Sequence, residues 1–209
     1  MTSTTRQQMV DSQLRARGIS DPRVLDAMMR VPRDAFIPEP YRHEAYEDHP
    51  LPIGDNQTIS QPYVVAVMLE YLQLTPTDIV LEIGAGSGYV AALLAELTAQ
   101  VFSIERHPTL AANARAAIAA LGYANVQILT GDGTLGLPAH AAFDAILVSA
   151  AAMDVPPPLL SQLRDGGRMI VPVGSSESQQ LQFIRMDDGH PIASPRDPVR
   201  FVPLISDQM

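Results

Sequence analysis

Cysteine is absent from the 209 residues, which excludes disulfides, thiolate nucleophiles and cysteine-ligated metals. Basic residues never form a run, and the formal net charge is −9. A nucleic-acid partner is therefore not expected, because phosphate binding needs a basic footprint. No apolar stretch is long enough to span a bilayer, and the opening residues MTSTTRQQMV lack the apolar core of a signal peptide. A membrane partner is not expected either, and the expected location is the cytoplasm. His43, His49, His107, His140 and His190 are scattered without metal-ligand spacing and read as surface or structural residues. Asp144 falls early in a strand pattern and Asp154 at a helix start, so no metal is expected.

What is present suits one substantial domain: hydrophobic residues make up 46% and charged residues 18%. Residues 1–56 read as an N-terminal helical cap and wrapping segment, and 57–209 as an α/β core. Met9, Val10 and Leu14 share a helical face that Gly18 stops. Ser20-Asp21-Pro22 caps a second helix, Val24 to Val31, which Pro32 ends. From 33 to 54 recurrent prolines forbid a long helix, and Phe36, Tyr41 and Tyr46 are spaced as anchors of a connector or as a lid over a site. Short apolar runs then alternate with helical stretches. Strands are expected at Ile79–Ile83, Val101–Ile104, Val126–Leu129, Phe143–Val148 and Arg168–Val173. Helices are expected at Tyr89–Leu97, Pro108–Leu121 and Leu159–Leu163. This alternation predicts a mainly parallel sheet with helices on both faces. Gln180–Met186 and Val199–Leu204 are expected to be antiparallel strands around Asp187-Asp188-Gly189.

Ligands bind an open parallel sheet beyond the carboxyl ends of its strands. Gly84-Ala85-Gly86-Ser87-Gly88 lies there. The dinucleotide pattern GxGxxG fails, since Tyr89 holds the third glycine position. With Glu82 ahead of three alternating glycines the pattern is ExGxGxG, which resembles that of S-adenosylmethionine-dependent methyltransferases. Glu105 ends the next strand, where an acid accepts from both ribose hydroxyls; that place also fits a nicotinamide cofactor, or a carboxylate near a helix start. Asp132 ends the third strand, where it accepts from an adenine amino group while the neighbouring N–H at Gly133 donates to a ring nitrogen; an Asp-Gly turn is the structural alternative.

At this point the chain resembles the protein-L-isoaspartate O-methyltransferases. The resemblance rests on Leu51-Pro52-Ile53-Gly54, Gln57-Thr58-Ile59-Ser60-Gln61-Pro62, Val80 to Gly84 with Gly86-Ser87-Gly88-Tyr89, Gly131-Asp132-Gly133, Ala142 to Ile146, Gly166-Gly167-Arg168 with Val171 to Gly174, and Val199-Arg200-Phe201-Val202-Pro203-Leu204. These stand in the family's order across roughly 9–204. The resemblance implies a Rossmann-like methyltransferase fold, S-adenosylmethionine as donor and S-adenosylhomocysteine as product. The implied acceptor is the free α-carboxylate of L-isoaspartyl residues in damaged proteins and peptides, whose ester re-forms a succinimide that can open to normal aspartate. It further implies Ser60 as catalytic residue, Thr58, Ile59, Val199, Arg200, Phe201 and Val202 against the substrate, and Glu82, Gly84, Ala85, Gly86, Ser87, Glu105, Arg106, Asp132 and Gly133 as cofactor contacts. Ala85 stands where threonine is common in bacterial members, and Gln179 to Asp197 is the segment least like the family.

A carboxylate acceptor is already ionised at neutral pH, its reference pKa being about 4, so methyl transfer needs alignment and dryness rather than a base. A lone serine hydroxyl that donates to the carboxylate meets that need. Ser60 is also well placed to cap the helix that Pro62 opens, and a helix N-terminus itself favours an anion. Arg200 is expected to meet an acidic substrate or to sit in a structural ion pair. Alternatives to repair are a carboxyl methyltransferase for a dedicated biosynthetic peptide or small acceptor, and a non-catalytic S-adenosylmethionine sensor.

Overall fold

The computed structural model describes residues 4–207. The chain opens with α1 (Arg6–Gln8), where Thr5 and Gln8 bond reciprocally across the first turn, and continues helically through wide turns at Met9–Leu14 and tight ones at Arg15–Arg17. Met9, Val10 and Leu14 are buried, and Gly18 ends the run at φ 100°. Helix α2 (Pro22–Arg30) starts as expected from Asp21, whose side chain accepts from the Arg23 N–H. Two 3₁₀ turns, Arg33–Phe36 and Glu39–Glu44, carry the proline-rich connector.

A feature absent from the sequence reading follows. Strands β1 (Leu51–Gly54) and β2 (Gln57–Ile59) form a hairpin outside the main sheet. Asp55 and Asn56 turn it at φ 49° and 56°, a geometry these short polar residues tolerate. Helix α3 (Pro62–Leu72) comes next.

The core is β3 (Ile79–Ile83), α4 (Tyr89–Leu97), β4 (Gln100–Glu105), α5 (Pro108–Ala120), β5 (Val126–Thr130) and β6 (Phe143–Val148), all close to expectation. Helix α6 lies at Pro157–Leu160, earlier than the expected Leu159–Leu163, because Leu163 already pairs with Phe143 at the start of β7 (Leu163–Gly174). Strand β8 (Gln179–Asp187) is antiparallel to β7, as expected. The last strand, β9, is His190–Val199, not Val199–Leu204. Asp188 and Gly189 at φ 50° and 76° make a two-residue turn, so the chain must pair back at once. Pro191, Pro195 and Pro198 disguise this strand, and they are tolerated because β9 is an edge.

The sheet order is β5-β4-β3-β6-β7-β8-β9, parallel from β5 to β7. Helices lie on both faces, but unevenly. Crossovers β3→β4→β5 run one way and put α4 and α5 on one face, against the N-terminal helices and α3. The return from β5 to β6 and the step to β7 run the other way, so right-handedness sends them to the opposite face. There Leu159 of α6 joins the core cluster that holds Leu81, Ile83, Phe143 and Ile146. The direction change between β4 and β6 falls at β3, and the glycine turn leaves from it.

Candidate active site

The ladder continues past the end of β3: Gly84 and Ala85 donate to the Ile104 carbonyl at 2.8 and 3.2 Å, and Ser149 donates to Ile83 at 2.8 Å. Gly84, Gly86 and Gly88 have φ of 90°, 54° and 90°. At Gly88, the N-cap of α4, a Cβ would also meet Ala114 of α5 at 3.2 Å, so glycine is needed both for the turn and for helix packing. Glu105, almost fully buried, fastens the loop: Oε2 accepts from Gly86 N–H at 2.7 Å and Oε1 from His107 N–H at 2.8 Å. Each oxygen keeps a second lone pair, and Glu105 lines the cleft.

That cleft encloses about 820 Å³, part of it open to solvent. Of the expected cofactor residues, Gly84, Ala85, Gly86, Ser87, Glu105, Arg106 and Gly133 line it. Glu82 and Asp132 are not among its lining residues. Glu82 is fully buried, with Oε2 accepting from Ser103 Oγ on the adjacent strand at 2.5 Å and Oε1 without a partner among the described residues. Burial pushes its carboxyl up to about 8, against the Ser103 hydrogen bond and with Glu105 adding to the rise. Asp132 bonds within its own turn and to the C-terminal segment. Its Oδ1 accepts from Thr134 N–H and Oγ1 at 2.8 and 2.7 Å, while Oδ2 accepts from Asp207 N–H at 2.8 Å and Ser206 Oγ at 3.3 Å. Burial works to raise its carboxyl, but these hydrogen bonds outweigh it and hold the group below its usual value.

Besides the expected Val202, residues without a role in the sequence pattern also line the cleft. Ser149 and Ala150 follow β6, a fourth strand end; Tyr89 and His107 open helices; Val202 to Ile205 cross the cleft as a C-terminal strap. Ala151 holds the strap, donating to Val202 at 2.8 Å and accepting from Leu204 at 2.7 Å. Arg106 holds its far end, bonding the Ile205 carbonyl at 3.2 Å and Asp207 at 2.6 Å.

A second pocket adjoins the first. Pro50, Thr58, Ser60, Gln61, Val64, Ser149 and Pro198 to Val202 line it, and Thr58, Ser60, Ser149 and Val202 line both. The structure thus brings together Ser60, Thr58, Val199, Arg200, Phe201 and Val202, whereas Ile59 is buried and borders the first cleft. Ser60 does not cap α3. The N-cap is Gln61, whose amide donates instead to the Asp48 carbonyl at 3.0 Å and its Oδ2 at 2.8 Å. Ser60 is half-buried and makes no hydrogen bond among the described residues, so its hydroxyl stays available to a ligand. Arg200 makes no ion pair among the described residues, which removes its structural reading, and it is the sole ionisable side chain lining the second pocket.

An apolar-walled pocket with a free hydroxyl, sharing its inner wall with a cleft of glycine backbone and one carboxylate, suits group transfer between a nucleoside-bearing donor and an anionic acceptor. Comparison with known proteins agrees. The sequence pattern of the family described as protein-L-isoaspartate(D-aspartate) O-methyltransferase matches residues 4–209. A protein-L-isoaspartate O-methyltransferase of Koribacter versatilis is 55% identical over 97% of this chain and 91% of its own length. One from Methanoregula boonei is 54% identical over 97% and 94%. Among solved structures, a Plasmodium falciparum protein described as a putative member of the same family, in complex with S-adenosyl-L-homocysteine, superposes with TM-score 0.86 at 27% identity over 97% of this chain and 99% of that one.

Proposed function

This chain belongs to the protein-L-isoaspartate(D-aspartate) O-methyltransferase family, and from that premise we propose that its two adjoining pockets hold methyl donor and acceptor peptide on either side of Ser60. It is an S-adenosylmethionine-dependent enzyme that methylates the free α-carboxylate of L-isoaspartyl residues in damaged proteins and peptides. Gly84 to Ser87, Glu105, Arg106 and Gly133 hold the donor. Glu105 takes the ribose hydroxyls with the lone pairs that Gly86 and His107 leave free. Glu82 and Asp132 act at one remove, the first beneath the glycine turn and the second by anchoring the strap.

When bound, S-adenosylmethionine supplies a methyl group on a positively charged sulfur, which the acceptor carboxylate takes as the carbon–sulfur electron pair returns to sulfur. Thr58, Ser60 and Val199 to Val202 receive the peptide. The Ser60 hydroxyl donates to one carboxylate oxygen and leaves the other to attack. No acidic side chain lines the acceptor pocket to repel the carboxylate, and Pro50, Val64, Phe201 and Val202 exclude water that would solvate it. The step needs neither base nor metal, and the enzyme works in the cytoplasm without nucleic acid or membrane.

The observation that carries this reading is the position of Ser60 on the wall common to both pockets. The test is methyl transfer from labelled S-adenosylmethionine to two peptides that differ only in aspartyl linkage. Base-labile label on the isoaspartyl peptide alone is expected; equal label on both, or on neither, would sink the reading.

A further inference from the structure

Among the described residues, the chain after β9 has no strand neighbour of its own beyond a single bridge from Pro203 to Ala151. It nonetheless supplies Arg200, Phe201 and Val202 to the acceptor pocket. Ala151 holds it downstream through Val202 and Leu204. Upstream the hold is a side chain. The Gln179 carboxamide, 8% exposed, accepts from the Phe201 N–H through Oε1 at 2.6 Å and donates through Nε2 to the Phe201 carbonyl at 3.1 Å.

A carboxamide is a planar donor–acceptor pair like a peptide unit, so Gln179 takes the place of a missing strand. The bonding follows the alternation of an extended chain: Phe201 turns to one side, Val202 and Leu204 to the other. The N–H groups of Arg200 and Val202 make no hydrogen bond among the described residues. With Phe201 fixed toward Gln179, alternation turns both toward the side of Ala151, where Ser149 and Ser60 line the same pocket.

We propose that Gln179 is a positioning residue for the acceptor, its carboxamide setting the backbone edge from Arg200 to Val202 that meets the main chain of the isoaspartyl peptide. This rests on the reading that residues 199–202 receive the peptide. Gln179 touches neither donor nor acceptor, and the strap's grip on the donor cleft runs through Ala151 and Arg106 instead. Its loss therefore acts on one side of the reaction.

In Gln179→Ala, KM for an isoaspartyl peptide rises about tenfold, kcat stays within about threefold, and S-adenosylhomocysteine binds as in the wild type. Gln179→Glu keeps the acceptor but loses the donor toward the Phe201 carbonyl. Its KM for the isoaspartyl peptide is therefore also expected to exceed that of the wild type, with kcat again within about threefold. This variant also serves if the alanine form does not fold. A wild-type KM in both, or an equal loss of S-adenosylhomocysteine affinity, overturns the proposal. Amide hydrogen exchange of the wild type separates it from its premise. Peptide-dependent protection at Arg200 and Val202 is expected; its absence sinks the docking reading, whereas protection together with an unaltered KM in Gln179→Ala sinks the clamp alone.

Discussion

The two halves of the cleft are held by different means. On the donor side, loops leave adjacent strands of one parallel sheet and the ladder runs on into them: Gly84 and Ala85 bond to Ile104, Gly131 to Glu105, and Ser149 to Ile83. On the acceptor side, Ser149 and the end of β9 come from that sheet, but the remaining wall does not. Residues 57–60 come from a two-stranded hairpin and its exit and 200–204 from the chain beyond the edge strand; long-range side chains help fasten both, beside the backbone bonds of Ala151 to Val202 and Leu204. Gln61 grips Asp48, itself paired to Arg17 at 2.5 Å, and Gln179 grips Phe201. A nucleoside is the same molecule in every turnover, whereas damaged proteins present varied chain around the isoaspartyl residue. A rigid donor site beside an acceptor site held partly by single side chains suits that asymmetry. The comparison predicts that variants in one half leave the other half's ligand almost untouched.

The largest effect is expected at the seam. Ser60→Ala should lower kcat about 100-fold, the scale of losing alignment in a reaction with no base, while S-adenosylhomocysteine affinity holds. Single-turnover methyl transfer and calorimetric titration measure the two. Wild-type turnover would show that Ser60 orients nothing. Next comes Glu105→Ala, which removes the carboxylate that both pins Gly86 and faces the donor. Donor affinity should fall about 30-fold, as for charged hydrogen bonds, with KM for peptide at saturating donor little altered. A matching rise in peptide KM would mean that the halves are one unit and the contrast fails.

Legibility in the sequence divides along the same line. The donor half was readable because parallel strands buried on both faces are apolar runs, and glycine marks where they turn. Glu105 and the glycine turn fell where expected. Glu82 is buried outside the cleft lining, since side chains alternate along β3: Leu81 and Ile83 face one core, and Val80 with Glu82 the other. Asp132 belonged to the turn that its neighbours Gly131 and Gly133 already suggested. The acceptor half was readable only through family motifs, because its supports lie far apart in sequence. Gln179 stands 22 residues from Phe201, and Gln61 stands 13 from Asp48. Phe201 and Leu204 looked like strand residues because both pack on the core. The prolines of β9 hid the true strand. The Asp55-Asn56 turn was a usable signal for the β1–β2 hairpin that went unread.

A smaller effect tests the acceptor side away from the reacting atoms. Gln61→Leu removes both bonds to Asp48 and leaves Arg17 as its partner. The turn that carries Ser60 loosens, and kcat with peptide should fall about fivefold while donor affinity stays constant. If kcat is unchanged, the hairpin and not the glutamine sets the serine, and the acceptor half is stiffer than argued.

The smallest effect on catalysis is expected at Glu82, in the donor half but outside its cleft. Glu82→Gln should change donor affinity by less than about twofold if the side chain only packs beneath the turn; a loss as large as that of Glu105→Ala would return it to the cofactor contacts. Its signature lies in stability. Burial raises the folded-state pKa of Glu82 from 4.5 to about 8, so between those values the folded chain holds a proton that the unfolded chain has released. The unfolded state then binds fewer protons, and stability falls as pH rises. The contribution is whole below pH 4.5 and lost as pH passes through about 8. Glutamine keeps an acceptor for the Ser103 hydroxyl and carries no charge at any pH. The variant's Tm should therefore decline less than the wild type's between pH 5 and pH 9, by several degrees at a scale of roughly 2–4 °C per kcal/mol for a chain of this size. Parallel Tm curves would mean that Glu82 ionises freely in the folded protein, and that the sheet beneath the donor site is wetter than its packing implies.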